Sequence, residues 1–234
     1  MNILAIDASG LSGSIAYISD YKLVGEYYIC HKLTHSQTIM PMLEHLRSMI
    51  GLNLEQVDAV AVTSGPGSFT GIRIGVATAK AMALAIGVPI IGIPTLDVMA
   101  NNMTFTDKLI CPIMDARRNQ VYTSLYRWKE NTLQRVEEHL AISIDELLEK
   151  VAGEEVIFLG DGVDVMRSKI TEQMGNKAYF APSFLHMQRA SVLAHLACQA
   201  YERGEMENAD DFVPMYLRKS QAERELEERE KGAN

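Results

Sequence analysis

Two aspartates close apolar runs in matching contexts: residues 6–9 read IDAS and residues 114–117 read MDAR. A carboxylate at a strand end can orient a metal-bound phosphate or a water. It can equally cap the turn that follows. The hydroxyls of Ser9 and Ser14 stand near Asp7 in the sequence, and Arg117 and Arg118 follow Asp115. An arginine there would meet a phosphate or close an ion pair across a cleft. Asp7, Ser9, Ser14, Asp115 and Arg117 are therefore the candidate nucleotide-cleft residues.

A second candidate is GPGSFTGIRIG, from 65 to 75, between an apolar run and an alanine-rich one. It resembles a phosphate cradle but meets neither common pattern. A P-loop requires lysine after its last glycine, where Ile72 and Arg73 stand. The dinucleotide fingerprint requires a third glycine where Thr70 stands. The plainer expectation is a tight turn, with Ser68 or Thr70 capping a helix. An anion at the free amides of that helix start is the minor alternative. No Gly-x-Ser-x-Gly elbow or His-Glu-x-x-His helix is present. His31 and His35 are four apart but straddle a strand-to-helix junction, so no metal site is expected from them. His195 is expected to be half-buried on a helix.

The elements that must hold these residues form a pattern that occurs twice. Residues 2–8, 13–19 and 22–30 read as strands. A helix follows through Met40, Leu43, Leu46, Met49 and Ile50, then a strand VDAVAVTS, a helix over 71–86, a strand VPIIGI and a short helix TLDVMANN. The second half offers strands at 109–116, 120–128 and 132–139, then a helix near 144–150. After these come the strand EVIFLG, a helix from Val163, the short strand KAYF and a helix near 190–203. The order βββαβαβα, repeated with a reduced second half, predicts the duplicated ribonuclease-H-like α/β fold of the actin, Hsp70 and sugar-kinase superfamily (ASKHA). Its subdomains would be 1–104 and 105–234, the latter ending in a charged tail helix.

On the 71–86 helix, Gly71, Gly75, Ala79 and Ala83 recur every four residues and share one side. So small a stripe admits a close neighbour, either the chain's own sheet or another helix. Ile72, Val76, Met82 and Ile86 add a second apolar surface, and the preceding helix is rich in methionine. The expectation is a docking face of Met40, Leu43, Ile72, Gly75, Val76, Ala79, Met82 and Ala83. The formal charge of −8 argues against diffuse attraction to nucleic acid. Three scattered cysteines fit a reducing cytoplasm. The N-terminus lacks a basic n-region, so no signal peptide is expected. The apolar stretches are too interrupted to predict a membrane span.

ILAIDAS, THSQTIMPML, SGPGSFTGIRIGVATAKAMA, DARRNQVY and PMYLR, in this order, resemble the TsaB (YeaZ) family from the first strand to about Arg218. The resemblance implies a non-catalytic partner in threonylcarbamoyladenosine (t6A) modification of N6 of the adenosine 3′ of the anticodon, in tRNAs reading codons that begin with A. It implies docking to the catalytic paralogue TsaD, self-pairing through the same helices as a homodimer, and an ATPase, TsaE, that completes the cycle. Contact with tRNA would be indirect, with no membrane partner. No cofactor would be required by this chain alone, and ATP or ADP would bind, if at all, at the complex interface. The paralogue carries a His-x-Glu-Gly-His metal site after its glycine-rich motif. Thr95, Asp97 and Met99 stand at the comparable positions here. Gly160-Asp161-Gly162 is a poor match to the superfamily's adenosine-binding turn. The alternative is a glycoprotease-like peptidase or small ATPase using Asp7 and Asp115.

Overall fold

The computed structural model describes residues 1–31 and 33–218. The tail AERELEERE, expected as a solvated helix, lies outside the described residues. The first half runs β1 (Asn2–Asp7), β2 (Gly13–Ser19), β3 (Lys22–Ile29), α1 (His35–Ile50), β4 (Ala59–Gly65), α2 (Phe69–Ile86), β5 (Ile90–Pro94) and α3 (Thr95–Ala100). The second runs β6 (Leu109–Asp115), β7 (Gln120–Lys129), β8 (Thr132–Ser143), α4 (Ile144–Lys150), β9 (Val156–Leu159), α5 (Gly162–Met174), β10 (Ala178–Phe180) and α6 (Ala190–Glu202).

Each half is a five-stranded sheet, ordered β3-β2-β1-β4-β5 and β10-β9-β6-β7-β8. In both, the first strand pairs antiparallel with the second and parallel with the fourth. The duplicated ribonuclease-H-like arrangement expected from the element order is the arrangement observed. Alternation along β1 shows why the first sheet must be covered twice. Leu4 and Ile6 enter the core shared with α1 and α2, while Ile3 and Ala5 enter the core shared with α6. In the second sheet, α4 and α5 cover one face, and α3 supplies Leu96, Met99 and Ala100 to the other.

The C-terminal part crosses back over the boundary drawn near residue 104. Helix α6 packs on β1, β2, β4 and β5. A strap then pairs Glu207 with Ile90, buries Phe212 in the first core and donates the Met215 amide to the Ser64 carbonyl. It ends with Arg218 donating to the Ala116 carbonyl, just after β6, at 2.6 Å.

Helix α2 is long and apolar enough to cross a membrane by length and composition alone, as the core helix of a globular domain also can be. Its small-residue stripe instead lies on the chain's own sheet. Gly71, Ile72, Gly75, Val76, Ala79 and Ala83 are buried, and Gly75 faces Ala8 and Val62. Leu43 is likewise interior. Of the residues expected at a docking face, only Met40, 50% exposed, and in part Met82 reach the surface. The physical reason is helix-to-sheet distance: without side chains along that stripe, α2 sinks onto β1 and β4. Ala79→Arg should therefore bury an unpaired charge and destabilise the fold by about 3 kcal/mol or more. Ala77→Arg, on the exposed side, should stay within about 0.5 kcal/mol of wild type. Urea unfolding of the two variants checks the assignment.

Candidate functional site

The halves meet in a cleft of about 580 Å³. Gly10, Leu11 and residues 67–70 form its first-half wall, with Asp115, Arg117, Tyr122, Asp161 and Asp164 opposite and Arg218 at the rim. The glycine-rich loop builds its wall by close backbone approach. A Cβ on Gly67 would strike the Ser9 carbonyl, and one on Gly71 the Ala8 carbonyl. The Ser68 amide donates to the Ser9 carbonyl at 2.7 Å, and the Ser68 hydroxyl caps α2 by accepting from the Gly71 amide at 3.2 Å. Of the two expected cap residues Ser68 takes the role, and the glycines of the expected turn, Gly65 and Gly67, both have positive φ.

Three of the first half's polar residues, Asp7, Ser9 and Ser14, do not open onto the cleft. Asp7 is fully buried, and its Oδ1 accepts from the Ser9 hydroxyl at 2.6 Å, the Thr63 hydroxyl at 2.7 Å and the Ser9 amide at 3.2 Å. Burial pushes its pKa up against those hydrogen bonds, favouring the neutral acid. Ser9 and Ser14 are fully buried, and Ser14 Oγ accepts the first amide of α6, from Ala190, at 2.9 Å. This corrects the expectation that Asp7, Ser9 and Ser14 line the cleft: their polar atoms tie β1, β2, β4 and α6 together. His35 begins α1 and its Nε2 lies 2.9 Å from the Gly10 carbonyl, whereas His31 precedes the helix. His195 is exposed, not half-buried, and meets Tyr21 edge-on.

Asp115 and Arg117 do line the cleft. Their ion pair, 3.2 Å, forms within one strand end and not across the gap. Arg117, Arg118 and Asn119 all have positive φ, a strained run that sets the tight β6–β7 turn. The Asp115 amide donates to Asp161 Oδ1 at 3.1 Å. Burial, reinforced by the charges of Asp115 and Asp164, raises Asp161 to about 6 against that amide bond. The sequence does not mark Asp161 as a cleft carboxylate, because Asp115, whose amide it accepts, lies 46 residues away on β6. Gly160 and Gly162 press against the Ile113 carbonyl, repeating the close approach seen in the first half.

Thr95 and Met99 are fully buried, and Met99 fills the space beside Gly160. Asp97 faces another way. Its Oδ1 accepts from the Tyr126 hydroxyl at 2.5 Å and lies 3.0 Å from His139 Nε2. Among the described residues, no group of three or more His, Cys, Asp or Glu is placed to hold a metal ion. The Tyr126–His139 partnership carried no sequence signal, since those residues sit on separate strands far from Asp97.

Two five-stranded sheets of matching order around a cleft define a protein of the duplicated ribonuclease-H-like α/β class. A crystal structure from Pseudomonas aeruginosa, described as having similarity to the peptidase YeaZ, has a TM-score of 0.80 at 25% identity and covers 93% of this chain and 99% of its own. The family model for TsaD, tRNA N6-adenosine threonylcarbamoyltransferase, matches residues 31–226. The Bacillus subtilis tRNA threonylcarbamoyladenosine biosynthesis protein TsaB is 34% identical over 95% of this chain and 96% of its own length. The Escherichia coli TsaB is 29% identical over 97% and 98%. The chain belongs to the TsaB (YeaZ) family.

Asp161 binds a proton more tightly folded than unfolded, so the native state carries more protons between its ordinary value of 3.8 and about 6. Stability should fall as the pH rises through that window. Asp161→Asn should flatten that part of the curve and raise stability at neutral pH by roughly 2–3 kcal/mol at most. Urea unfolding across pH 4–7 measures both.

Proposed function

We propose that this chain is a non-catalytic subunit of tRNA threonylcarbamoyladenosine biosynthesis, acting as a scaffold that binds and activates the catalytic paralogue TsaD. The observation that carries the non-catalytic part is the filled position beside Gly160. Met99 packs where the paralogue's motif would place an imidazole, and Asp7 is sealed behind Ser9 and Thr63. The names of the full-length relatives support the pathway.

The docking face is the outer side of α1 and α2. Met40, Met49 and Leu84 are at least half exposed there, with Ala77 and Ala81 between the larger side chains. The same surface serves self-association as a homodimer, with TsaD competing for it. TsaE joins the assembly, tRNA is held mainly by the partners, and the complex works in the cytoplasm. ATP or ADP binds at the subunit interface and not to this chain alone.

Light scattering coupled to size exclusion, with and without TsaD, should reveal a heterodimer. Ala81→Arg, on the exposed side of α2, should weaken it by about tenfold or more without altering the melting temperature. An unaffected complex would remove this face from the interface.

The cleft-lining carboxylates of Asp115 and Asp161 favour a second reading, nucleotide hydrolysis by the isolated chain. Calorimetry with ATP and magnesium should show no saturable submillimolar binding. Binding with turnover that is lost in Asp115→Ala would replace the scaffold reading with an enzyme.

A further inference from the structure

A groove distinct from the cleft, sharing no lining residue with it, runs between α6 and the β7–β8 hairpin. Two adjoining cavities of about 350 and 420 Å³ share Asn101, Leu133, Leu196 and Gln199. The smaller is polar, lined by Asp97, Arg135, Arg203 and Glu205. The larger has the Trp128 indole with Leu133, Val192 and Leu196.

Asp97 and Arg135 form the prepared element of this groove. Tyr126 is almost fully buried and the His139 side chain is 7% exposed, so both are fixed supports for Asp97 Oδ1. The other oxygen, Oδ2, lies 3.6 Å from Arg135 NH1, beyond a direct hydrogen bond. The Arg135 contact with Glu138, at 3.7 Å, is just as loose, while NH1 is tied to His139 Nε2 at 3.1 Å and leaves the rest of the guanidinium for the groove. Carboxylate and guanidinium thus stand side by side with hydrogen-bonding capacity left toward the groove. Arg203 and Glu205 are already closed on each other by two 2.7 Å hydrogen bonds. The polar cavity is therefore balanced, with two cations and two anions, and a phosphate would face Asp97 and Glu205 as well as the arginines.

We propose that this groove binds a zwitterionic α-amino acid with an apolar side chain. The ligand ammonium would meet Asp97 Oδ2 and its carboxylate would meet Arg135, two groups borne on one carbon meeting two groups held side by side. The side chain would extend over Leu133 and Leu196 toward Trp128. Buried polar supports behind Asp97 keep that carboxylate in place before the ligand arrives.

Trp128 is the only tryptophan in the chain, so its fluorescence reports on the groove directly. Titration of the full chain with L-phenylalanine and L-leucine should give saturable changes at millimolar concentration or below. Phenethylamine, lacking the carboxylate, and 3-phenylpropionate, lacking the ammonium, should each bind at least about tenfold more weakly than L-phenylalanine. Arg135→Gln should lose the response with its melting temperature unchanged. No response to either amino acid, equal binding of either control, or retained binding by a folded Arg135→Gln would overturn the proposal. The control ligands test it on the wild-type protein even if that variant fails to fold.

Discussion

The structure depends on one repeated constraint: in each half, glycines after a parallel strand let the backbone sit directly on a carbonyl from the first strand's end. Gly67 and Gly71 meet Ser9 and Ala8, and Gly160 and Gly162 meet Ile113. The contact places the starts of α2 and α5 against β1 and β6, and so sets the two walls of the cleft. Any side chain at these points would collide with backbone, which cannot rotate away. The Ser68–Ser9 hydrogen bond and the Asp7–Ser9–Thr63 network lock the first of the two contacts.

That constraint also separates the chain's two resources. On the inward side, burying the small-residue stripe of α2 against the sheet leaves no opening at Asp7. On the outward side, it leaves α1 and α2 presenting Met40, Met49, Ala77, Ala81 and Leu84. A chain arranged this way has more to offer a partner at its helices than a phosphate at its first strand. The strap after α6 touches both regions. Tyr216 stacks on Phe69 at the start of α2, and Lys80 donates to the carbonyls of Asp210 and Phe212.

Much of the fold was legible because apolar periodicity and turn residues mark its elements, and because the second half repeats the order of the first. Helix α2 begins at Phe69, two residues before the expected 71, since Ser68 takes the cap. Burial direction was less legible. Gly71, Gly75, Ala79 and Ala83 share a face by spacing alone, but only the sheet beneath tells whether that face looks in or out. Asp7 and Asp115 matched as strand-end acids, yet one is sealed by Thr63 from a different strand and the other borders solvent. The Asp97–Tyr126–His139 cluster joins residues from three elements, a juxtaposition that no local pattern encodes. The return of α6 to the first sheet is likewise a long-range event, secured by Ser14 accepting the Ala190 amide.

The central claim is that the chain acts by docking and contributes no chemistry. Reconstituted t6A formation with TsaD, TsaE, ATP, threonylcarbamoyl-adenylate and tRNA tests it most directly, measured across a titration of this chain. The account predicts that modification requires the chain and that Ala81→Arg raises the concentration needed while reaching the wild-type rate at saturation. Modification without the chain, or a rate that stays depressed once the Ala81→Arg complex is fully formed, would contradict it.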